Sequence, residues 1–509
     1  MTPQTHPQKP KTHARPYAYA KRNFQGKLLL GAFLMIFACT AGAQNQPYVF
    51  EIRGVADSTI YLANYYGEKL YYADTAVADA NGRFAFDRVD AESEGKYAVV
   101  LPGPRYFEIM IADGEDIHMK TDTADPVGHM QVLESDNNAI MYDYVKFLAE
   151  KRQVRETLAQ EIQENEGNPE VTARLKERYN ALNDEVVAYQ TNIVEGHPDK
   201  LIAMEIHMSM DVQPPAELHE DRQAAYLYYK RHYFDHMDLT DDRLVRLPLF
   251  HQRLVNYLNN VLLQNPDTVI AALDKLIDGL DPGGELFKYV LHYSTYNFET
   301  SKIMGMDAVF VHLADKYYKP GMAYWLDDEQ VKRITEKADE KRHTLIGKKA
   351  PELILSDTTG NWISTHRDIK KDYVVLFFYD PDCGHCKKET PKLVDYYANY
   401  PGDDLAIYAV SSNPSDKWNK FIRQYGTGDF YNVSIPQRAF EDADYATSLI
   451  TSGKTNYNSL RYHEIFDVFS TPKIFILDKD RVIRAKDIGV EQVAEIIERL
   501  HSSGAEAGN

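Results

Sequence analysis

Polar and apolar residues alternate along "YVFEIRGV" (48–55) and again along "STIYLANYY" (58–66). A period of two predicts half-buried β-strands. "DANGRFAFDRV" (79–89) sets Asn81-Gly82 between strand-like runs, so a hairpin is expected there. "KYAVVLP" and "YFEIMIADGEDIHMKTD" carry the pattern to about Thr123. The expectation for 44–130 is an all-β sandwich.

The period changes near Ser135. Ile140, Met141, Tyr144, Val145 and Leu148 recur at helical spacing, and the pattern runs on through Leu158 and Ile162. Gly167-Asn168-Pro169 stops one helix and starts another, with Pro169 in its first turn. Leu175, Leu182, Val186 and Tyr189 mark the inner face of the second helix, which ends at Gly196-His197-Pro198. Further helices follow to about Arg342, so 131–345 is read as an all-α region of antiparallel pairs. The tyrosines of "AAYLYYKRHYF" (224–234) are expected to pack, with phenol oxygens at the rim. His207, His232, His236 and His251 lack the HxxxH or HExxH spacing of metal ligands.

A third regime begins at Ile346. "APELILSDTTGNWIS" (350–364) predicts a hairpin turning at 357–361. "YVVLFFY" (373–379) and "LAIYAVSS" (405–412) are continuous apolar runs, as strands buried on both faces require. Each precedes a helical stretch, and "KIFILDKDRVIRA" (473–485) reads as two strands before a closing helix. The order β–α–β–α–β–β–α, after a leading hairpin, predicts a thioredoxin-like α/β domain over 346–503. The stretch 434–466 exceeds that plan and is expected to be a polar insertion. The fold class is therefore multidomain α+β: β-sandwich, all-α region, thioredoxin-like domain.

Length agrees, since 509 residues exceed what one core supports. Charge narrows function. Six of the 57 basic residues and none of the 76 acidic ones lie in 1–43, so the remainder carries −25. Such an acidic surface repels phosphate backbones and sets nucleic acid aside as a partner. The basic start leads into "LLLGAFLMIFA" (28–38) and then "AGA" (41–43). An apolar run this short cannot span a bilayer, which takes about 20 residues. It predicts a secretory signal over 1–43, cleaved before Gln44. "IFAC" resembles a lipobox, which makes a lipid anchor at Cys39 the alternative.

Three cysteines occur: Cys39, Cys383 and Cys386. Once Cys39 is removed or lipidated, the last two stand alone in "DPDCGHCKKETP" (380–391). Structural zinc needs four ligands, and no second CxxC or His pair is present. A peroxidatic cysteine is disfavoured by Asp380, an acid three residues before Cys383. A dithiol–disulfide exchanger needs two sulfurs one turn apart at a helix N-terminus, as strand, loop and helix supply here. Cys383 is then the attacking sulfur and Cys386 the resolving one. His385 is expected to favour the Cys383 thiolate, with Asp380 and Asp382 opposing it. In "FSTPKIFIL" (469–477), Thr471-Pro472 precedes a strand; cis X-Pro bonds are uncommon, but in a thioredoxin-like fold this proline is expected to be cis and to lie against the CxxC. It would expose the Thr471 backbone for pairing with a substrate segment.

These residues, with Gly347, Ala350-Pro351, "CGHCKKETP" and "FSTPKIFILDKD", resemble the TlpA/ResA-like thioredoxins within the AhpC/TSA–redoxin group. The resemblance implies thiol–disulfide exchange at Cys383 and Cys386, with His385, Glu389 and Pro472 in the catalytic site and Thr471 and Gly384 against substrate. In ResA-like members a Glu three residues after the second Cys takes part in proton chemistry, which falls on Glu389; the alternative is a solvated helix acid. Asp382 stands where thioredoxins usually carry Trp, and Phe377 where cytosolic thioredoxin buries an Asp. Both departures suggest a narrow partner range. "NGRFAF" within a β region, ahead of a helical layer, resembles multidomain envelope thiol-disulfide proteins of the Bacteroidota type.

The expected function is periplasmic or envelope thiol-disulfide exchange in the reducing direction, without a bound cofactor. Expected partners are cysteine-containing envelope proteins and a membrane thiol electron donor. The alternative is a peptide- or glycan-binding or assembly module in 44–345, with a subordinate redox domain.

Overall fold

The computed structural model of the chain describes residues 47–506 except 56, 91, 92 and 104. The export segment expected at 1–43, with Cys39, lies outside the described residues.

The first part is a sandwich of two four-stranded sheets. In one, β1 (Tyr48–Arg53) lies between β4 (Arg83–Phe86) and β7 (His118–Asp122), with β8 (Gln131–Glu134) beyond β7. In the other the order is β3 (Lys69–Val77), β2 (Thr59–Tyr66), β5 (Gly95–Val100) and β6 (Tyr106–Ile111). β8 carries the sandwich past the expected end at residue 130. Phe50 of one sheet meets Phe107 of the other, ring centroids 6.0 Å apart.

The hairpin expected at Asn81-Gly82 is corrected. The tight turn exists: Asp79 Oδ1 accepts from the N–H of Asn81 at 2.7 Å and of Arg83 at 3.0 Å, with Gly82 at φ +75°. But β4 pairs with β1 in the opposite sheet, Phe84 against Phe50, and not with β3. Phe84 and Phe86 are fully buried whereas β3 is mostly exposed, so the two strands have different burial demands and part company.

The helical region begins with α1 (Asp136–Glu164) packed on α2 (Pro169–Gly196), and Asn168 caps α2 by accepting from the Val171 N–H. It continues through α3 (Leu201–Ser209), α4 (Arg222–His232), α5 (Pro248–Asn256), α6 (Pro266–Ile277), α7 (Glu285–Glu299), α8 (Asp307–Leu313) and α9 (Asp328–Arg342). The tyrosines around α4 pack as expected: fully buried Tyr233 lies 5.5 Å from Tyr229 and 5.0 Å from Tyr257. His207 stacks on His236 at 4.5 Å, and among the described residues no group of three His, Cys, Asp or Glu is placed to hold a metal. Sandwich and helices share one hydrophobic cluster, from Tyr48 to Ala338. Asn138 joins them: its amide accepts from the Met110 N–H and donates to the Met110 carbonyl, both at 2.8 Å, along the free edge of β6.

The last part has β9 (Ile354–Asp357), β10 (Trp362–Ser364), β11 (Tyr373–Tyr379), β12 (Leu405–Ser411), β13 (Tyr431–Ser434), β14 (Lys473–Leu477) and β15 (Ile483–Lys486). They form one sheet in the order β10-β9-β13-β12-β11-β14-β15, with β11 parallel to β12 and antiparallel to β14. Its helices are α10 (Gly384–Ala398), α11 (Asp416–Tyr425), the short α12 (Gln437–Glu441), α13 (Ala443–Thr451), α14 (Tyr457–Leu460) and α15 (Tyr462–Ile465), and α16 (Glu491–Glu506). Val375, Phe377 and Tyr379 of β11 face α10, α11 and α16; Val374, Leu376 and Phe378 face the other way.

Two expectations for this part are corrected. β13 is a strand the sequence reading did not assign. The stretch 434–466 is not a polar insertion: Tyr462 stacks on Phe378 at 5.4 Å, Phe466 lies 5.3 Å from it, and Thr455 and Ser459 bond β9 at Ile354. A sheet with two apolar faces needs cover on both, and this segment covers the second.

Candidate functional site

β11 ends at Tyr379 and the chain turns through Asp380–Asp382 into α10. Cys383 is the N-cap of α10, so its sulfur lies where unpaired backbone N–H groups converge. The Cys386 N–H donates to Cys383 Sγ at 3.5 Å. Cys383 Sγ donates in turn to the Thr471 carbonyl oxygen at 3.4 Å, and the Thr471–Pro472 bond is cis, as expected. Both cysteines are free thiols; Cys383 is half-buried and Cys386 is fully buried one turn deeper.

Their environments separate the two thiols. Burial works to raise the Cys383 pKa, but the N–H of Cys386, the Cys386 thiol, the Thr471 hydroxyl and the His385 N–H together hold it below its ordinary 9.0. Burial pushes Cys386 up to about 12; the Thr471 hydroxyl and the Asp380 N–H oppose this, while Cys383 adds to it.

His385 is exposed, and its backbone N–H is among the groups that lower Cys383. Asp382 pairs with Lys417 at 2.7 Å. Asp380 accepts from the Asp382 N–H at 2.7 Å and from Ser412 Oγ at 2.9 Å. The two acids thus hold the turn and its flank. Glu389 is buried, with both oxygens on Lys392 Nζ at 2.8 and 3.0 Å, and it makes no hydrogen bond to Cys386. Gly384 is exposed, and a Cβ there would meet nothing within 4 Å, which leaves open space beside Cys383.

Sequence reasoning missed Tyr379, Trp418 and Lys417. Tyr379 is fully buried on the Cys386 side of β11, and its hydroxyl lies near Trp418 and Ser411 without completing a hydrogen bond to either. Its parity with Val375 and Phe377 was the available signal. Phe377, at the position of the missing Asp, is buried and stacks on Tyr379 at 5.4 Å.

Comparison with known proteins fits this geometry. The AhpC/TSA family matches residues 346–486. The thiol-disulfide oxidoreductase ResA of Bacillus thuringiensis (strain Al Hakam) is 33% identical over 160 residues, 31% of this chain and 78% of that protein. This chain belongs to the AhpC/TSA family, among the ResA-like proteins. It is a thiol-disulfide oxidoreductase with a thioredoxin-like domain. ResA of Bacillus anthracis gives the same figures. Residues 159–342 of this family member match a domain of unknown function (DUF5106). Among solved structures, a thioredoxin-like protein from Bacteroides caccae aligns over 56% of this chain and 97% of its own, at 17% identity and a TM-score of 0.41. A domain of a possible thiol-disulfide isomerase from Cytophaga hutchinsonii aligns over 32% and 97%, at 34% identity and a TM-score of 0.25.

Proposed function

We propose that the chain is a periplasmic reductase of disulfides in cysteine-containing envelope proteins, acting through the CGHC motif. One observation carries the reading: a half-exposed sulfur with a lowered pKa, at a helix N-terminus, one turn from a fully buried second sulfur. Export is supported by the basic and apolar pattern of 1–43, with a lipid anchor at Cys39 as the alternative to cleavage before Gln44.

The Cys383 thiolate attacks one sulfur of the substrate disulfide. A mixed disulfide forms, and the other substrate sulfur leaves as a thiolate that takes a proton from water. Bonding of Cys383 removes its charge, one of the influences that raise Cys386, although burial remains the largest. Glu389, three residues along the same helix and buried with Cys386, is the proposed acceptor for the Cys386 proton. Cys386 then attacks Cys383 and releases the second substrate thiolate. Two electrons have passed to the substrate, and a Cys383–Cys386 disulfide remains for a membrane thiol donor to reduce. The sulfurs hold the electrons, so no bound cofactor enters the scheme. Thr471, Pro472 and Gly384 border the space a substrate segment takes beside Cys383, and His385 is the exposed residue beside that entry.

The reduction potential tests the direction. A value near that of thioredoxin, about −270 mV, supports a reductase, and one near that of DsbA, about −120 mV, overturns it. A Cys386→Ala chain should collect mixed disulfides with envelope proteins, and Cys383→Ser should collect none.

A second reading has its own observation. A cavity of about 550 Å³ is lined by Tyr66, Tyr71, His251, Tyr289, Tyr293 and Trp325, among others. It supports a peptide- or glycan-binding module in 44–345, with the redox domain subordinate. Partner capture that needs neither cysteine would favour that reading.

A further inference from the structure

Beside Pro472 opens a cleft of about 540 Å³ that the thioredoxin-like domain does not build alone. One wall is the loop ahead of β14, with Phe469, Ser470 and Pro472. The other is residues 299–305, the end of α7 and the loop to α8, in the helical region. The floor is polar and internally paired. Lys486 bonds Asp307 and, at 3.0 Å, the Thr344 carbonyl; Lys341 meets Asp467 at 3.3 Å, and Lys473 meets Asp487 at 3.0 Å. The contacts of Lys486 and Lys341 join the helical region to the thioredoxin-like part.

The walls differ from the floor. Phe469 is 77% exposed, Ile303 47% and Met304 37%. A single exposed apolar side chain needs no explanation. Here three line one concavity, from two distant parts of the chain, and the wall that holds Phe469 leads within two residues to the Thr471 carbonyl that touches the Cys383 sulfur. A concave cleft admits a chain segment rather than a flat folded surface. The floor charges are paired among themselves, so the exposed side chains of the walls, apolar Phe469, Ile303 and Met304 together with the cation Lys302, remain to discriminate.

We propose that residues 299–305 form the second wall of the substrate cleft, and that Ile303 and Met304, with Phe469, select an extended polypeptide segment whose reactive cysteine is flanked by apolar side chains. This rests on the redox reading and assigns the helical region a part in choosing substrates. One substrate methylene more or less in a hydrophobic pocket changes discrimination roughly 10- to 200-fold.

The test uses the full chain and two synthetic peptide disulfides, one with leucines flanking the cysteine and one with glycines. The wild type should favour the leucine peptide by about tenfold or more in kcat/KM. Ile303→Ser/Met304→Ser and, separately, Phe469→Ser should each bring that ratio close to one, with unchanged thermal melts. A wild type without preference, or variants that keep the wild-type ratio, would overturn the proposal. So would a concentration-dependent dimer in sedimentation that Ile303→Ser/Met304→Ser abolishes, since a second copy would then occupy the cleft. Failure of the redox reading looks different: a Cys383→Ser chain would reduce both peptides as the wild type does.

Discussion

The Cys383 thiol donates to the carbonyl oxygen of Thr471, a residue 88 positions further along the chain. The Thr471 hydroxyl also acts on both sulfurs, lowering the pKa of each. Thr471→Val keeps the shape and removes the hydroxyl. The Cys383 thiolate should then form at higher pH than in the wild type, and reaction with a small disulfide below that pH should slow severalfold. Ultraviolet thiolate absorbance against pH, alongside stopped-flow rates, checks both.

The two thiols should label at different pH. Cys383 ionises below 9.0 and Cys386 at about 12, so iodoacetamide should modify Cys383 alone in the folded, reduced protein over the window between them. Stability follows the same two groups with opposite signs. The lowered Cys383 contributes stability above its unfolded pKa, and that contribution is lost as pH falls through the folded value. The raised Cys386 contributes stability that is full below about 9 and is lost as pH rises toward about 12. Mass spectrometry of labelled peptides and urea melts against pH read these effects.

Glu389→Gln should prolong the mixed disulfide without slowing its formation. The carboxylate is the proposed proton acceptor for Cys386, and the first attack does not use it. Quenched-flow trapping of the intermediate separates the two steps. Equal lifetimes in Glu389→Gln and wild type would return Glu389 to a helix acid held by Lys392.

Lys486→Met alone should be costly, at about 3–5 kcal/mol, because it leaves the Asp307 carboxylate buried without its cation. One Asp307 oxygen already lacks a hydrogen-bond partner. Lys486→Met with Asp307→Leu should recover most of the loss, since an apolar pair of similar volume replaces a buried ion pair with little penalty. Urea unfolding of the three chains gives the comparison.

Tyr379→Phe should leave stability unchanged or raise it by up to about 1 kcal/mol, because the hydroxyl it removes is buried and unbonded. A loss of more than about 1 kcal/mol in the same assay would mean that Trp418 or Ser411 holds the hydroxyl in solution.

Local patterns made much of this legible. The continuous apolar run of β11, the break at Gly167-Asn168-Pro169 and the pair Thr471-Pro472 each report a local requirement, and each appears where the pattern placed it. What stayed hidden depends on long-range choices. Asn81-Gly82 specifies a turn but not which sheet receives the strand after it. The 434–466 stretch reads as polar because its cover of the sheet rests on few residues, chiefly Ile435, Tyr462 and Phe466. At the site, the CxxC and its helix are written in one short segment. That Asp382 is neutralised by Lys417, or that residues 299–305 stand beside Pro472, follows only once distant elements pack.

The amide of Asn138 lying along β6 bears on the newly made chain. An uncovered strand edge is a template on which another molecule can grow a sheet, and an apolar strand such as β6 is a hazard of that kind. Met110 and Asn138 are only 28 residues apart. The side chain that closes the edge therefore follows almost at once behind the strand it closes, which shortens the interval in which neighbouring unfolded chains can join there and aggregate.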